Sequence, residues 1–301
     1  MRTVRDGRPR GRSVHRGSGG PDAGVHRLGT ARRPGAARGL AVDLGSSGAR
    51  AWVPGRGLVA CTVWDDGPGR PVRRGRIVDP EACGRLLARL ADTALGTDRH
   101  GSVIVLSHPV LAGAEHRSQA RDLLDALGSS GAVVLSSARA VAACAEGPDS
   151  GPLLVVDMGA ELTEVTLLVD GRIADARQAE TGLSDLGGLS GLSGELSDLD
   201  GGEAGAMPAQ LVGNVLDMIM SMWRQDRHGA VRGALRRGPV LTGGGALHTD
   251  VTHRIAARLG TPVRLAGDPS TSVVRGAGLI LDSVLRHTGA GTVAVLPGRP
   301  R

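Results

Sequence analysis

The apolar residues of this chain follow one design twice. Leu40-Ala41-Val42-Asp43-Leu44-Gly45-Ser46-Ser47-Gly48-Ala49-Arg50-Ala51-Trp52-Val53 is an apolar run that ends in Asp-x-Gly, turns tightly and continues as an alternating strand. Leu154-Val155-Val156-Asp157-Met158-Gly159-Ala160-Glu161-Leu162-Thr163-Glu164-Val165 repeats it, with Asp157 114 residues after Asp43. A third strand follows each copy, after Pro54-Gly55-Arg56-Gly57 and after Asp170-Gly171-Arg172. A repeat of this size is a duplicated domain, since solenoid units have periods of roughly 20 to 50 residues.

The rest of the pattern alternates strands with helices. Arg73-Arg74-Gly75-Arg76-Ile77-Val78-Asp79 leads into a helix near 80–94, with Leu86, Leu87 and Leu90 at helical spacing. Ser102–Ser107 reads as a short buried strand between Gly101 and His108-Pro109. A helix over about 114–127, a strand Ala132–Leu135 and a small-residue helix Ala138–Ala145 follow, and Gly147–Pro152 reads as a hinge. After the second meander, Leu183–Ala206 is almost entirely Gly, Ser, Leu, Asp and Glu and reads as a flexible connector. Then come a helix over about 208–226, a strand Val240–Thr242, a turn of three glycines, a helix near 248–259, a strand Pro262–Leu265 and a last helix from about Ser270. This order gives an α/β class with mixed sheets.

Composition adds little about function and removes several classes. The 301 residues suffice for two domains. There is no Tyr, Phe or Lys, and the missing types have AT-rich codons, so the bias reflects a GC-rich genome. The net charge of +6 is uneven: residues 1–39 hold ten Arg against Asp6 and Asp22, which leaves 26 Arg against 28 acidic residues, or −2, for the remainder. The tail reads as a disordered Gly/Pro/Arg segment, or as upstream sequence included by a misplaced start. It has no stacking aromatics, and no specific nucleic-acid partner is expected. Cys61, Cys83 and Cys144 have neither metal-ligand spacing nor an even count. With no signal-type apolar run and no membrane-span length, the cytoplasm is the expected location.

The two turns carry the candidate chemistry. A carboxylate at a strand end can order the water shell of magnesium, and small residues after it let backbone N–H groups approach phosphate oxygens. Asp43 and Asp157 are the candidate carboxylates. Val240-Leu241-Thr242-Gly243-Gly244-Gly245-Ala246-Leu247 is a third motif, in which three glycines let a flat ligand lie on backbone before a helix N-terminus that favours negative charge.

With these motifs in hand, the chain resembles the actin-like ATPase superfamily, and within it the bacterial actin homologue MreB and its rod shape-determining relatives, over about residues 39–285. The Asp43 and Asp157 segments match the two phosphate motifs. Val72-Arg73-Arg74-Gly75-Arg76-Ile77-Val78-Asp79 is similar to an Arg-Pro-x-x-Asp-Gly-Val-Ile-Ala-Asp segment. Leu241–Leu247, Gly260-Thr261-Pro262-Val263 and Asp268-Pro269-Ser270-Thr271-Ser272-Val273-Val274-Arg275-Gly276 match the adenosine motif and the C-terminal helix. The resemblance implies two duplicated RNase H-like domains with mixed sheets flanked by helices, and ATP or ADP with magnesium as cofactor. It implies nucleotide binding by Asp43, Gly45, Ser46, Ser47, Asp157, Gly159, Thr163, Gly243, Gly244 and Gly245, with Asp43 and Asp157 holding the metal through water. Domain I is expected at 39–148 and domain II at 149–269, with the connector at 183–206. A helix at 270–288 packs back on domain I, and tails occupy 1–38 and 289–301.

Departures from the pattern are as informative. The second turn of the family is Asp-x-Gly-Gly-Gly-Thr-Thr-Glu-Val, and here Ala160, Glu161 and Leu162 replace two glycines and a threonine. Glu161 would point at a terminal phosphate, and two like charges about 4 Å apart repel by roughly 4 kcal/mol at an effective dielectric near 20. Positive φ, if the turn needs it, costs energy for Ala and Glu. The family's water-orienting Glu aligns with Ser137, which cannot act as a carboxylate base. Two outer subdomains are trimmed, leaving only Ala60–Arg70 and the Gly/Ser/Leu connector. Since those subdomains carry longitudinal filament contacts, ordinary double filaments of this chain alone are not expected.

The expected function is therefore an MreB-like cytoskeletal protein in cell-shape determination and wall morphogenesis that binds ATP or ADP weakly and hydrolyses it slowly or not at all. The alternatives are an ATPase with a rearranged catalytic residue, for which Glu161 is the candidate, and a nucleotide-free structural adaptor. Expected partners are a full-length actin-like homologue, wall-morphogenesis proteins or further copies of the chain. Peripheral membrane contact through Met218-Ile219-Met220-Ser221-Met222-Trp223 is weighed against a core helix, which the acidic Asp217 and the lack of a basic face favour. His108, just after a strand on the cleft side, reads as a plain polar residue.

Overall fold

A computed structural model of the chain describes residues 38–64, 69–145, 151–186 and 206–288. The Arg-rich tail, most of the hinge, most of the connector and the C-terminal tail expected from the sequence lie outside the described residues.

The duplication is visible as two sheets of identical strand order. The first half contains β1 (Arg38–Gly45), β2 (Gly48–Val53), β3 (Gly57–Val63), the short hairpin β4 (Val72–Arg73) and β5 (Arg76–Ile77), α1 (Pro80–Leu95), β6 (Ser102–His108), α2 (Ala114–Asp125), β7 (Gly131–Ser136) and α3 (Ser137–Ala145). The second contains β8 (Leu153–Met158), β9 (Thr163–Val169), β10 (Arg172–Ala179), α4 (Ala206–Gln225), α5 (Ala230–Arg237), β11 (Val240–Thr242), α6 (Thr249–Leu259), β12 (Arg264–Leu265) and α7 (Ser272–Thr288). The five-stranded orders are β3-β2-β1-β6-β7 and β10-β9-β8-β11-β12. In each sheet the first three strands form an antiparallel meander and the last two run parallel to its first strand. Parallel strands need crossovers, supplied here by α1 and α2 in one half and by α4, α5 and α6 in the other.

The local chemistry explains the helix limits. Asp79 caps α1 by accepting from the Ala82 N–H at 2.9 Å, and Pro80 occupies its first position, where no N–H is needed. Cys83, Leu86, Leu87, Leu90 and Leu95 form its buried stripe. In α4, Met218, Ile219 and Met222 are buried while Trp223 is half-exposed, so this run is core packing, as its acidic neighbour suggested.

Two elements were not expected from the sequence. The helix α5 has a glycine at Gly229, another at Gly233 and four Arg nearby, which mask its short buried stripe of Val231 and Ala234. Asp226 starts it, accepting from the N–H groups of Ala230 at 3.0 Å and Val231 at 2.8 Å. The β4–β5 hairpin is the other, and it turns through Arg74 at φ 47° and Gly75 at φ 70°.

A shared core joins the halves. Ala41, Val105 and Val141 of the first half pack with Leu153, Val155 and Val240 of the second and with Val273, Ala277 and Leu281 of α7. The last helix lies on α3 and β1, in the first half, although it follows the second sheet in sequence. Its approach is tight: a side chain at Gly276 would overlap the Ala140 carbonyl of α3. Between β3 and β4 only residues 64–71 intervene, too few for an outer subdomain. Among the described residues no helix is long and apolar enough to cross a membrane.

Candidate functional site

Asp43 and Asp157 occupy equivalent places. Asp43 stands beside Arg50 of β2 and Ser107 of β6, and Asp157 beside Glu164 of β9 and Thr242 of β11. Both aspartates line one cavity of about 350 Å³. Its walls include Gly45, Ser46 and Ser47 of the first turn, Gly159 to Leu162 of the second, and Gly243 and Gly244. The volume falls in the range of small-molecule pockets.

Polar contacts order this cavity, and those of Glu164 and Glu161 tie the two halves across it. Ser107 donates its hydroxyl to Asp43 Oδ1 at 2.6 Å. Glu164 Oε1 accepts from the Val110 N–H at 2.8 Å, and its Oε2 from the Ser137 hydroxyl at 3.2 Å. Glu161 Oε2 accepts from the Arg74 N–H at 2.8 Å, and Arg70 pairs with its Oε1 at 3.5 Å. Next to it, the Gly75 N–H donates to Ser46 Oγ at 3.3 Å.

Comparison with known proteins gives the fold and a partial family similarity. The MreB/Mbl protein family model matches residues 199–288. The cell shape-determining protein MreB of Pasteurella multocida is 45% identical over 53 residues, 18% of this chain and 15% of that protein, and MreB of Haemophilus influenzae matches to the same extent. The match thus spans only about a seventh of those relatives' length. Among solved structures, MreB5 of Spiroplasma citri bound to ADP aligns with a TM-score of 0.69 at 15% identity, covering 84% of this chain and 99% of that one. The MamK double helical filament aligns with a TM-score of 0.64 at 15% identity, covering 81% of this chain and 98% of that one. The chain has the actin-like fold of these structures, and its C-terminal part is similar to MreB.

The cleft gathers most of the residues expected from the sequence. Asp43, Gly45, Ser46, Ser47, Ser137, Asp157, Gly159, Gly243 and Gly244 all line it. Thr163 is a correction: it is fully buried, and its hydroxyl donates to the Thr181 carbonyl at 2.8 Å, so it does not line the cavity. Gly245 is a second correction, being buried behind the turn. A side chain at Gly245 would come within 2.5 Å of Met158 Cβ, and one at Gly243, where φ is 80°, within 2.6 Å of Asp157 Oδ1. At those two positions the close approach of β8 alone requires glycine. Gly244, beside Leu183, is the glycine of the three with ordinary φ on the cavity wall.

The second turn is corrected too. Glu161 lines the cavity, but its carboxylate is not free: the Arg74 N–H and the Arg70 guanidinium hold it against the β4–β5 hairpin of the other half. Nor does the turn need left-handed backbone at Ala160 or Glu161, because among the described residues only Arg74 and Asp170 are non-glycine with positive φ.

Burial sets the electrostatics of the cleft. Asp43 is raised above the usual carboxylate range by burial, partly offset by the Ser107 hydrogen bond and by Arg50. Burial, then the charges of Glu164 and Asp43, push Asp157 up to about 8. Burial pushes Glu164 to about 7 against the backbone and Ser137 hydrogen bonds that favour its charged form. His108, on the rim, is lowered by burial and lies 2.6 Å from the Pro109 carbonyl through Nδ1.

Two cleft residues were missed in the sequence. Glu164 belongs to the second motif, where its seven-residue spacing from Asp157 makes it the cross-strand partner. Arg50 has the same spacing from Asp43 and is the basic residue among those lining the cavity. Counting register across each Asp-x-Gly hairpin would have found both.

The donor set suits a hydrated magnesium ion better than a caged one. Among the described residues no three carboxylate, imidazole or thiol groups form a metal cage. Magnesium commonly uses one or two carboxylates together with waters and substrate phosphates. Two buried carboxylates, both raised chiefly by burial, are such a set.

Proposed function

We propose that this chain is a cytoskeletal protein of cell-shape determination and wall morphogenesis that binds ADP or ATP in the cleft and hydrolyses it slowly or not at all. The observation that carries the reading is the meeting of both Asp-x-Gly turns and the Gly243-Gly244 turn around one cavity. Similarity to an ADP-bound MreB5 supports it. Backbone N–H groups and the Ser46 and Ser47 hydroxyls would hold phosphate oxygens, and the Gly244 side would hold the base. Asp43 and Asp157 would orient the waters of magnesium, which supplies charge neutralisation for the phosphates.

Slow hydrolysis follows from Ser137. It lines the cleft but spends its hydroxyl on Glu164, and a serine offers no basic group for the attacking water. The work of the protein is then binding: the nucleotide sets cleft closure, and closure sets the surface offered to a full-length homologue or another copy. The MamK filament among its structural relatives supports assembly of this kind.

Calorimetry with magnesium and ADP or ATP tests nucleotide binding, and single-turnover phosphate release tests hydrolysis. Sedimentation alone and with a full-length homologue tests assembly. No heat and no thermal shift at millimolar nucleotide would favour the nucleotide-free adaptor and defeat the reading.

A further inference from the structure

We infer that Glu161 makes this cleft selective for nucleoside diphosphates over triphosphates. The inference rests on the nucleotide-binding reading above and adds the ligand class to it.

Glu161 sits at the tip of the second turn, with its side chain only 11% exposed. Its carboxylate spans the cleft to the first half, with the Arg74 N–H on one oxygen and Arg70, 14% exposed, on the other. A backbone donor and a guanidinium that could receive a terminal phosphate are thus engaged by an anion built into the chain. The same hairpin is held further by Glu180, which pairs with Arg76 at 2.8 Å, and by Ser46, which accepts from Gly75.

The order of groups along the cavity gives this contact its consequence. The Gly243 turn abuts Asp157, so close that a side chain would touch Oδ1. Glu161 lines the same cavity four residues after Asp157, with its carboxylate held against the hairpin. On the nucleotide-binding reading, a base on the glycine turn leaves the phosphates between the two aspartate turns, and Glu161 stands on the second of these. Two phosphates would fill the space between the turns. A third must enter beside the Glu161 carboxylate and compete for its donors. Like charges at that range repel, and the pair being displaced is half-shielded from solvent screening by burial.

The experiment is calorimetric titration of the full chain with ADP and with the non-hydrolysable triphosphate AMPPNP, each with magnesium. ADP should bind at least tenfold tighter. In Glu161→Gln, which keeps an acceptor for the Arg74 N–H and removes the charge, the ratio should fall to threefold or less through tighter triphosphate binding. Arg70→Ala, which frees one carboxylate oxygen and leaves the charge, should keep or widen the preference. Equal affinity for both nucleotides in the wild type, or an unchanged ratio in Glu161→Gln, overturns the selectivity while leaving the nucleotide site standing. Binding of neither nucleotide overturns both.

Discussion

Asp157 faces Glu164 across the β8–β9 ladder at the position where Asp43 faces Arg50 across β1–β2. The duplicated hairpins therefore carry opposite charges at equivalent points, and the second half holds two adjacent buried carboxylates. Burial, joined for Asp157 by the charges of Glu164 and Asp43, brings these to about 8 for Asp157 and about 7 for Glu164, from ordinary values of 3.8 and 4.5. Both are raised, so the folded chain holds protons that the unfolded chain has released. Their contribution is most favourable below about pH 4 and is lost as pH rises through about 8. Urea denaturation in the ligand-free state should show stability falling between pH 5 and pH 8, by on the order of 1 kcal/mol per pH unit. Asp157→Asn should flatten that slope. A wild-type profile that rises with pH would contradict the assignment.

A divalent cation reverses the balance. Magnesium binds the ionised carboxylates, so at pH 6 it must displace protons that are largely gone by pH 8.5. The thermal shift produced by magnesium and ADP should be larger at pH 8.5 than at pH 6. Titrations in buffers of different ionisation enthalpy should report proton release on binding at pH 7, and Asp157→Asn should remove most of it. Equal shifts at both pH values with no proton release would place the cation elsewhere.

Ser137 matters to the fold even where it does no chemistry. Its hydroxyl is one of the donors to the buried Glu164 carboxylate, from a side chain that is itself buried. Ser137→Ala removes that donor, and hydrogen bonds to charged groups contribute about 1.5–3 kcal/mol. The expected loss at pH 8 is of that size. At pH 5, where Glu164 is protonated, the loss should be smaller. Denaturant midpoints at the two pH values check this, and a pH-independent effect would separate Ser137 from Glu164.

The duplicated fold was legible because its signal is local: each Asp-x-Gly turn punctuates an apolar strand, and three strands in sequence form a meander. The placement of α7 on the first half was legible only through family resemblance, since nothing in its own periodicity names a partner. The site was legible where backbone type decides it, at the turns around Asp43, Asp157 and Gly244. It failed where tertiary contact decides it. Thr163 carries a suitable hydroxyl, but the Thr181 carbonyl takes it. Glu161 looked like a charge aimed at phosphate, and only the position of Arg74, ninety residues earlier in round numbers, redirects it. Helix α5 escaped because its glycines and arginines hide a stripe of just two buried residues.

Two glycine substitutions test the packing that holds the halves together. At Gly276 the helix α7 passes so close to α3 that a methyl group would overlap the Ala140 carbonyl oxygen, which is backbone and cannot rotate away. Gly276→Ala must push the helices apart, and such overpacking costs typically 1–3 kcal/mol or more. Because α7 also packs on β1, the strand that carries Asp43, the shift should weaken nucleotide binding as well as lower the melting temperature. Gly213, inside α4, has open space around a new methyl and no left-handed φ. Gly213→Ala should therefore stabilise by about 0.4–1 kcal/mol, through helix propensity and a less flexible unfolded chain. Denaturation of the two variants side by side distinguishes contact from propensity: both must move, in opposite directions, for the close crossing of α3 and α7 to be the seam that joins the two halves.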